Sequence, residues 1–358
     1  MKKVGIMSMQ RITNYGSFLQ AYGLKKVINS LGFDVIFLDY EFEKDITEDE
    51  PQKSLIAKII MHYNIYEYLK KKKHIKLFQT EYKKNLKKYL EVDDEKNYYP
   101  RIDTLVIGSD EVFNCLQKYP VGYSRNLFGY GYDDKDVISY AASFGHTDMK
   151  GLKKYKIDHE IGNMLNKFKA ISVRDENSYK IVKELTNKEA IINLDPVLIS
   201  SYDEELKEYE ISLKNYIVVY AYSGRLSREE EKYIKKFAKK YHKKIVSLGF
   251  YQKIADYNLV VNPFEALKYI KNADYVITDT FHGSIFSIKL NTKFCTIIRK
   301  SNYNKLHYLL AKLGHLDQMV NDISDIERIY NKEISFKESD KTIREETKKT
   351  IDYLKKNI

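Results

Sequence analysis

The chain has 358 residues, 43% of them hydrophobic, with 5 prolines and 15 glycines; this suits two cored domains and excludes a disordered or low-complexity protein. Two cysteines, Cys115 and Cys295, exclude a disulfide framework or a cysteine metal cluster, so a reducing, cytoplasmic setting is expected, with Cys295 buried in the apolar run 294–298. The net charge of +11 comes with 32 tyrosines, no tryptophan and lysines spread along the chain; without a nucleic-acid motif it reads as compositional bias, or as attraction to anionic small molecules and membrane surfaces, and no nucleic acid is expected as a partner.

The opening MKKVGIMSMQ is too short for a signal-peptide core. No stretch approaches about 18 apolar residues, so neither a secretion signal nor a membrane span is expected. Residues 4–9 read as a strand. Residues 17–31 read as a helix, through the spacing of Phe18, Leu19, Tyr22, Val27, Ile28 and Leu31. Residues 35–38 read as a second strand, which makes a doubly wound start. The turn between strand and helix holds Asn14, Tyr15, Gly16 and Ser17, with Gln20 one helical turn on. A glycine there either serves the turn alone or lets a ligand approach backbone N–H groups.

Residues 41–100 read as a helical insertion. An acidic patch over 41–50 precedes a segment with Leu55, Ile59, Ile60, Tyr63 and Tyr66 on one side. Between Lys70 and Lys88 there are nine lysines and one glutamate, interleaved with Ile75, Leu77, Phe78 and Leu86. That stretch is either a solvated helix face or a basic amphipathic surface for an anionic membrane.

The strand over 104–107 ends in Gly108, Ser109, Asp110 and Glu111. This places Asp110 at the carboxyl edge of a parallel sheet, as a ligand group or as a helix cap. Strands follow over 137–142, 170–173 and 190–194. Arg174, at a strand end, is either an anion clamp or the partner of a nearby carboxylate such as Asp175 or Glu176. The pattern restarts between 195 and 213, so the domains are drawn as 1–205 and 206–325, with a charged helical segment over 326–358 that is a tail or an arm returning to the first domain.

In the second half, strands are expected over 216–221, 244–248, 273–278 and 294–298. Helices are expected from a Ser227–Glu230 capping box to Tyr241, over 263–272 and over 303–313. The segment 275–290, YVITDTFHGSIFSIKL, is a buried strand, a polar turn and a helix start. It sets His282 at a helix mouth that favours anions. The other seven histidines stand in helical or charged contexts that fit surface roles.

Six motifs, in order, resemble the polysaccharide pyruvyl transferase family. They are Asn14 to Tyr22 (NYGSFLQAY), Gly108 to Asn114 (GSDEVFN), Ser139 to Gly145 (SYAASFG), Ser172 to Asp175 (SVRD), Leu194 to Pro196 (LDP) and Thr278 to Ser287 (TDTFHGSIFS). Glu111 and Phe113 depart from it, because the family usually shows Gln and Trp there. If both lie near the cleft, acceptor choice differs here.

The resemblance implies an α/β fold of two Rossmann-like domains facing across a cleft, GT-B-like, with the insertion in the first domain. It implies transfer of a pyruvyl group from phosphoenolpyruvate to two hydroxyls of a cell-surface polysaccharide precursor sugar, lipid- or nucleotide-linked. The product is a ketal, and phosphate is released. No cofactor or metal is expected. By motif, Arg174 and His282 are the donor ligands. Their residue types suit a substrate carrying a carboxylate and a phosphate.

On this reading the donor side also includes Thr280, Phe281, Gly283 and Ser284. The acceptor side includes Asn14, Tyr15, Gly16, Gln20, Gly108 and Ser109. His282 is expected to be charged mainly when the donor is bound. Asp110 is the candidate base and Asp279 the reserve. Two other readings stay open: a glycosyltransferase using a nucleotide sugar, for which Glu265 and Asp256 are the available ribose-binding carboxylates, and a non-catalytic glycan-binding relative. A cytoplasmic site at the inner face of the membrane fits the first reading.

Overall fold

The computed structural model describes residues 2–47, 65–118 and 121–358. The expected apolar positions Leu55, Ile59, Ile60 and Tyr63 lie outside the described residues. Among the described residues, no helix is long and apolar enough to cross a membrane.

Two six-stranded parallel sheets form the centre of the chain. The first holds β1 (Lys3–Met7), β2 (Asp34–Leu38), β3 (Thr104–Asp110), β4 (Asp136–Ala142), β5 (Ile171–Val173) and β6 (Ala190–Ile192), in the order β2-β1-β3-β4-β5-β6. The second holds β7 (Tyr216–Tyr220), β8 (Lys244–Leu248), β9 (Tyr257–Leu259), β10 (Tyr275–Thr278), β11 (Phe294–Ile297) and β12 (Met319–Val320), in the order β12-β11-β10-β7-β8-β9. The inner strands β3, β7, β10 and β11 are buried along their whole length. Near-continuous apolar runs such as YIVVY are what a parallel sheet covered on both faces requires. Strands β9 and β12 were not expected. Both are two or three residues long at a sheet edge, too short for any periodicity to show.

Helix α1 (Tyr15–Ser30) follows β1. Its cap is Asn14, in extended conformation at φ −158°, whose side chain accepts the N–H of Ser17 at 2.7 Å. The first turns of α1 are buried on all sides, including Phe18, Leu19, Gln20 and Ala21. They are wedged between the first sheet and the second domain. One apolar cluster therefore runs without a break from Val4 and Phe18 through Phe264 to Phe286 and Phe294. Polar contacts reinforce the seam: the Tyr15 hydroxyl donates to the Val261 carbonyl at 2.7 Å, and Lys289 donates to the Leu198 carbonyl at 2.7 Å.

In the insertion, helix α2 (Ile65–Asn85) lies along the seam. His74 Nε2 is 2.9 Å from the Gly249 carbonyl, and the Tyr82 hydroxyl donates to the Gln10 carbonyl at 2.8 Å. His74 and His315 are both buried, contrary to the expectation of surface roles, and burial pulls both imidazoles below their usual range. The thiol of Cys295 is buried too, and burial pushes it up to about 12.

After β10 come helices α3 (Phe281–Lys289), α4 (Tyr303–Lys312) and, at the end of the chain, α5 (Lys337–Asn357). Helix α5 is the returning arm. Its Tyr353 hydroxyl donates to the Ser139 carbonyl of β4 at 2.8 Å, and Thr350 lies 3.1 Å from the Tyr140 hydroxyl. Leu354 is fully buried in the common core. Leu354→Ala is expected to cost about 2–4 kcal/mol in urea unfolding; an unchanged midpoint would mean that α5 does not fold with the two sheets.

Candidate active site at the domain interface

A cleft of about 250 Å³ opens where the carboxyl ends of both sheets meet. Asn14, Ser17, Asp110 and Arg174 line it from the first domain, and Thr280, Phe281, His282 and Lys305 from the second. Every loop that reaches it leaves the carboxyl end of a strand, which is where open α/β sheets bind ligands.

Arg174 follows β5 and is 5% exposed. Its Nη1 donates to Oδ2 of Asp195 at 2.8 Å, and its Nη2 lies 3.5 Å from Oδ1 of Asp110. Its guanidinium stacks 4.4 Å from the centre of the Phe281 ring. Its Nε is buried without a partner among the described residues. Burial opposes the guanidinium charge, but Asp110, Asp195 and Glu111 outweigh it and hold the group above its usual value.

The same oxygen of Asp195 that accepts from Arg174 lies 3.5 Å from Nε2 of His282. That is ion-pair distance without hydrogen-bond alignment, and Nε2 has no hydrogen-bond partner among the described residues. Asp195 is the cap of the short helix Pro196–Ile199, and its other oxygen accepts from the Val197 N–H at 3.0 Å. Burial pushes this carboxyl up, yet His282, Arg174 and the Val197 N–H prevail and hold it below the usual carboxylate range. A first-domain carboxylate thus joins the two cationic residue types expected at the site. Asp195 stands in the Leu194–Pro196 motif, where no role was expected of it; an aspartate after a strand and just before a proline was the available signal.

Asp110 ends β3 at φ +77°, a strained conformation for a side-chain-bearing residue. Its Oδ2 accepts from the Ser17 hydroxyl at 3.1 Å, and its Oδ1 accepts from the Glu111 N–H at 3.0 Å. Ser17 in turn receives a bond from the Asn14 side-chain amide at 2.9 Å. The start of α1 therefore orients Asp110 towards the cleft.

Gly16 has a specific role in this geometry. A Cβ added there would fall into the imidazole of His282, 2.8 Å from that residue's own Cβ and closer still to the ring. The glycine is what allows the second domain's histidine to sit against α1. Helix α3 starts at this point. Thr280 is its cap, with Oγ1 accepting the Gly283 N–H at 2.9 Å. The N–H groups of Phe281 and His282, at the first two helical positions, carry no hydrogen bond among the described residues.

Several expected site residues stand behind the cleft wall and do not line it. Gln20 donates to the Ser8 hydroxyl at 2.8 Å, and Ser8 donates to the Ser109 carbonyl at 3.1 Å, so this chain braces the floor. The Ser109 side chain accepts from the N–H of Asp110 at 2.6 Å. Gly108 packs where a Cβ would strike the Tyr140 carbonyl. Tyr15 ties the domains through Val261. Gly283 packs on Thr278, and the Ser284 hydroxyl lies 2.8 Å from Thr296 Oγ1. Asp279, the reserve base, is fully buried. Burial pushes its carboxyl up against the pull of Arg225 and Arg299, which lie 3.5 and 3.3 Å away.

The two departures separate. Phe113 is fully buried in the first-domain core, 5.1 Å from the Phe128 ring, and so lies away from the cleft. Glu111 lines the cleft and pairs with Lys305 across the domains. Burial alone would raise its carboxyl, but Lys305, then Arg174 and Asn114, bring it down to about 2. Glu265 and Asp256 do not line the cleft. Asp256 accepts the Ile245 N–H at 2.8 Å as part of the sheet. Sequence reasoning did not single out Lys305, Arg225, Tyr222 or His146, all of which line the cleft. They sit in loops and a helix face with no motif of their own. Among the described residues, no group of three or more His, Cys, Asp and Glu is placed to hold a metal ion.

The architecture, two parallel α/β sheets facing across a cleft, is GT-B-like. The fold is similar to MnaA of S. aureus, solved with UDP, at a TM-score of 0.55, 9% identity, and coverage of 99% of this chain and 96% of that one. It is similar to the UDP-GlcNAc 2-epimerase of Neisseria meningitidis at a TM-score of 0.51, 8% identity and full coverage of both chains. It is similar to the kitacinnamycin glycotransferase at 0.54, 10% identity and 99% coverage of both. These likenesses establish the GT-B-like fold and nothing about chemistry. No curated protein sequence matches the chain. The family model of polysaccharide pyruvyl transferase matches residues 14–301, and the chain belongs to that family.

Gly16→Ala is expected to destabilise the protein by about 1–3 kcal/mol through overpacking on His282; equal stability in urea would show that the ring and α1 are not in contact. Glu111→Gln is expected to lower Tm at neutral pH. A carboxyl held at about 2, from an ordinary 4.5, stabilises the fold above its unfolded value and ceases to as pH falls through the folded one. The Tm gap between wild type and variant should therefore be full at pH 7 and shrink steadily below about pH 4.5. A gap independent of pH would remove the Glu111–Lys305 pair as its cause.

Proposed function

We propose that the cleft transfers a pyruvyl group from phosphoenolpyruvate to two hydroxyls of a cell-surface polysaccharide precursor sugar, forming a ketal and releasing phosphate. The observation that carries this reading is the single carboxylate of Asp195 holding Arg174 and His282 at one cleft, in a chain of the pyruvyl transferase family. Arg174, His282 and Lys305, with the N–H groups at the start of α3, supply positive charge for a substrate bearing a carboxylate and a phosphate.

The steps balance without a redox partner. A proton passes to the methylene carbon of the donor, and the central carbon becomes electrophilic. One sugar hydroxyl adds to it and gives its proton to the base. The second hydroxyl then displaces phosphate and closes the ring, giving its proton to the imidazole left neutral by the first step, while the proton on the base leaves with the phosphate. His282 delivers the proton, its ring parting from Asp195 as the donor enters. Asp110 receives the hydroxyl proton, since it is oriented by Ser17 and faces the cleft. No metal or cofactor enters this scheme. A sugar carried on a lipid or nucleotide diphosphate is the acceptor class we favour, because Arg225 lines the same cleft apart from the donor ligands.

The test is phosphate release from phosphoenolpyruvate with candidate acceptors, with the ketal identified by mass spectrometry. His282→Ala is expected to lower kcat about 10²–10⁴-fold with the fold intact. Arg174→Lys, which keeps the charge and loses the planar fork, is expected to raise KM for the donor. Asp195→Asn is expected to alter the pH–rate profile. Full activity in both the His282 and Arg174 variants would remove the site assignment. Thermal stabilisation by a nucleotide sugar but not by phosphoenolpyruvate would replace the reading with glycosyl transfer.

A further inference from the structure

Helix α2 has two faces of opposite character. His74, Phe78 and Tyr82, spaced every four residues, face inward. His74 is tied to the Gly249 carbonyl and Tyr82 to the Gln10 carbonyl, while the Phe78 ring lies 4.9 Å from Tyr15. These contacts reach both domains and settle which side of the helix looks out.

The outward side begins with Ile65, Tyr66 and Leu69, which are 75%, 61% and 56% exposed, and Leu77 further along is 51% exposed. Lys72, Lys73 and Lys76 are exposed on the same side, and among the described residues none of them has an ion-pair partner. By contrast Lys83 pairs with Asp94 at 2.7 Å, and Lys84 with Glu81 at 3.5 Å.

Large apolar side chains left in water on a helix that also carries unpaired lysines have few suitable partners. A protein interface is depleted of lysine at its core. Nucleic acid would use the lysines but leave the isoleucine and leucines bare. A phospholipid surface takes both: apolar side chains enter the headgroup boundary, and ammonium groups meet lipid phosphates on flexible stems.

We infer that the outward face of α2 is a peripheral docking surface for an anionic phospholipid bilayer. Ile65, Tyr66, Leu69 and Leu77 form the apolar contact, and Lys72, Lys73 and Lys76 the charged one. This face is separate from the cleft, so the inference does not depend on the proposed reaction.

The test is flotation of the full chain with phosphatidylcholine vesicles containing none, or about 30%, phosphatidylglycerol, at low and high salt. The expected result is binding to the anionic vesicles only, weakened by salt. Lys72→Glu with Lys73→Glu and Lys76→Glu should lower the partition constant at least about tenfold. Ile65→Ser with Leu69→Ser should lower it about threefold or more. A charge-matched control on the second domain, Lys235→Glu with Lys236→Glu and Lys239→Glu, should change it less than about twofold, since those exposed lysines belong to a different helix, Arg228–Lys240.

All three variants alter exposed side chains, and thermal unfolding checks that each is folded. The inference is overturned if anionic vesicles fail to bind, if neutral vesicles bind equally, or if the control weakens binding as much as the α2 reversal. Binding of a duplex oligonucleotide through the same lysines, without vesicle binding, would overturn it in favour of nucleic acid.

Discussion

One buried carboxylate organises the centre of this molecule. Asp195 has the guanidinium of Arg174 and the imidazole of His282 around a single oxygen. It is a first-domain residue, His282 belongs to the second domain, and neither sheet can move far without separating them. Such a pair is a constraint more than a source of stability. Burying the charges costs nearly as much as their attraction returns, whereas removing one partner leaves an uncompensated charge at a cost of about 3–5 kcal/mol. The arrangement therefore specifies where two functional side chains sit.

Around that constraint the seam is built for close approach. Gly16 removes the one side chain that would keep His282 away from α1. Tyr15, next to it, reaches the second domain through Val261. Helices α1, α2 and α5 each touch both sides of the seam or return to the first sheet across it. A continuous apolar cluster lies beneath the polar cleft. The cleft floor is packed from below, and the strained backbone at Asp110 is held by Ser17 and by the bracing chain from Gln20 through Ser8.

Much of the fold was readable from residues alone. The apolar runs at 104–107, 216–221 and 273–278 mark strands because central parallel strands are buried on both faces and need no polar alternation. The capping box at Ser227 and Glu230 is present as read. The turn before His282 was legible because an apolar run, a polar turn and a helical spacing follow one another within a dozen positions. The edge strands β9 and β12 escaped notice because two or three residues carry no period. His74 and His315 were misread because local context says nothing about which neighbour will cover a side chain.

The sequence by itself determined the local chemistry: which strand ends carry Asp110, Arg174 and His282, and that His282 opens a helix. These follow from short-range rules of spacing, capping and turn formation. Only the tertiary structure decided which of those residues share a cleft. It placed Asp195 between Arg174 and His282, matched Lys305 to Glu111, and turned Ser284, Gln20 and Tyr15 to structural work behind the wall. The reason is physical. Pairing between residues 87 or 194 positions apart is set by how two sheets pack, and no local pattern in the chain encodes that distance.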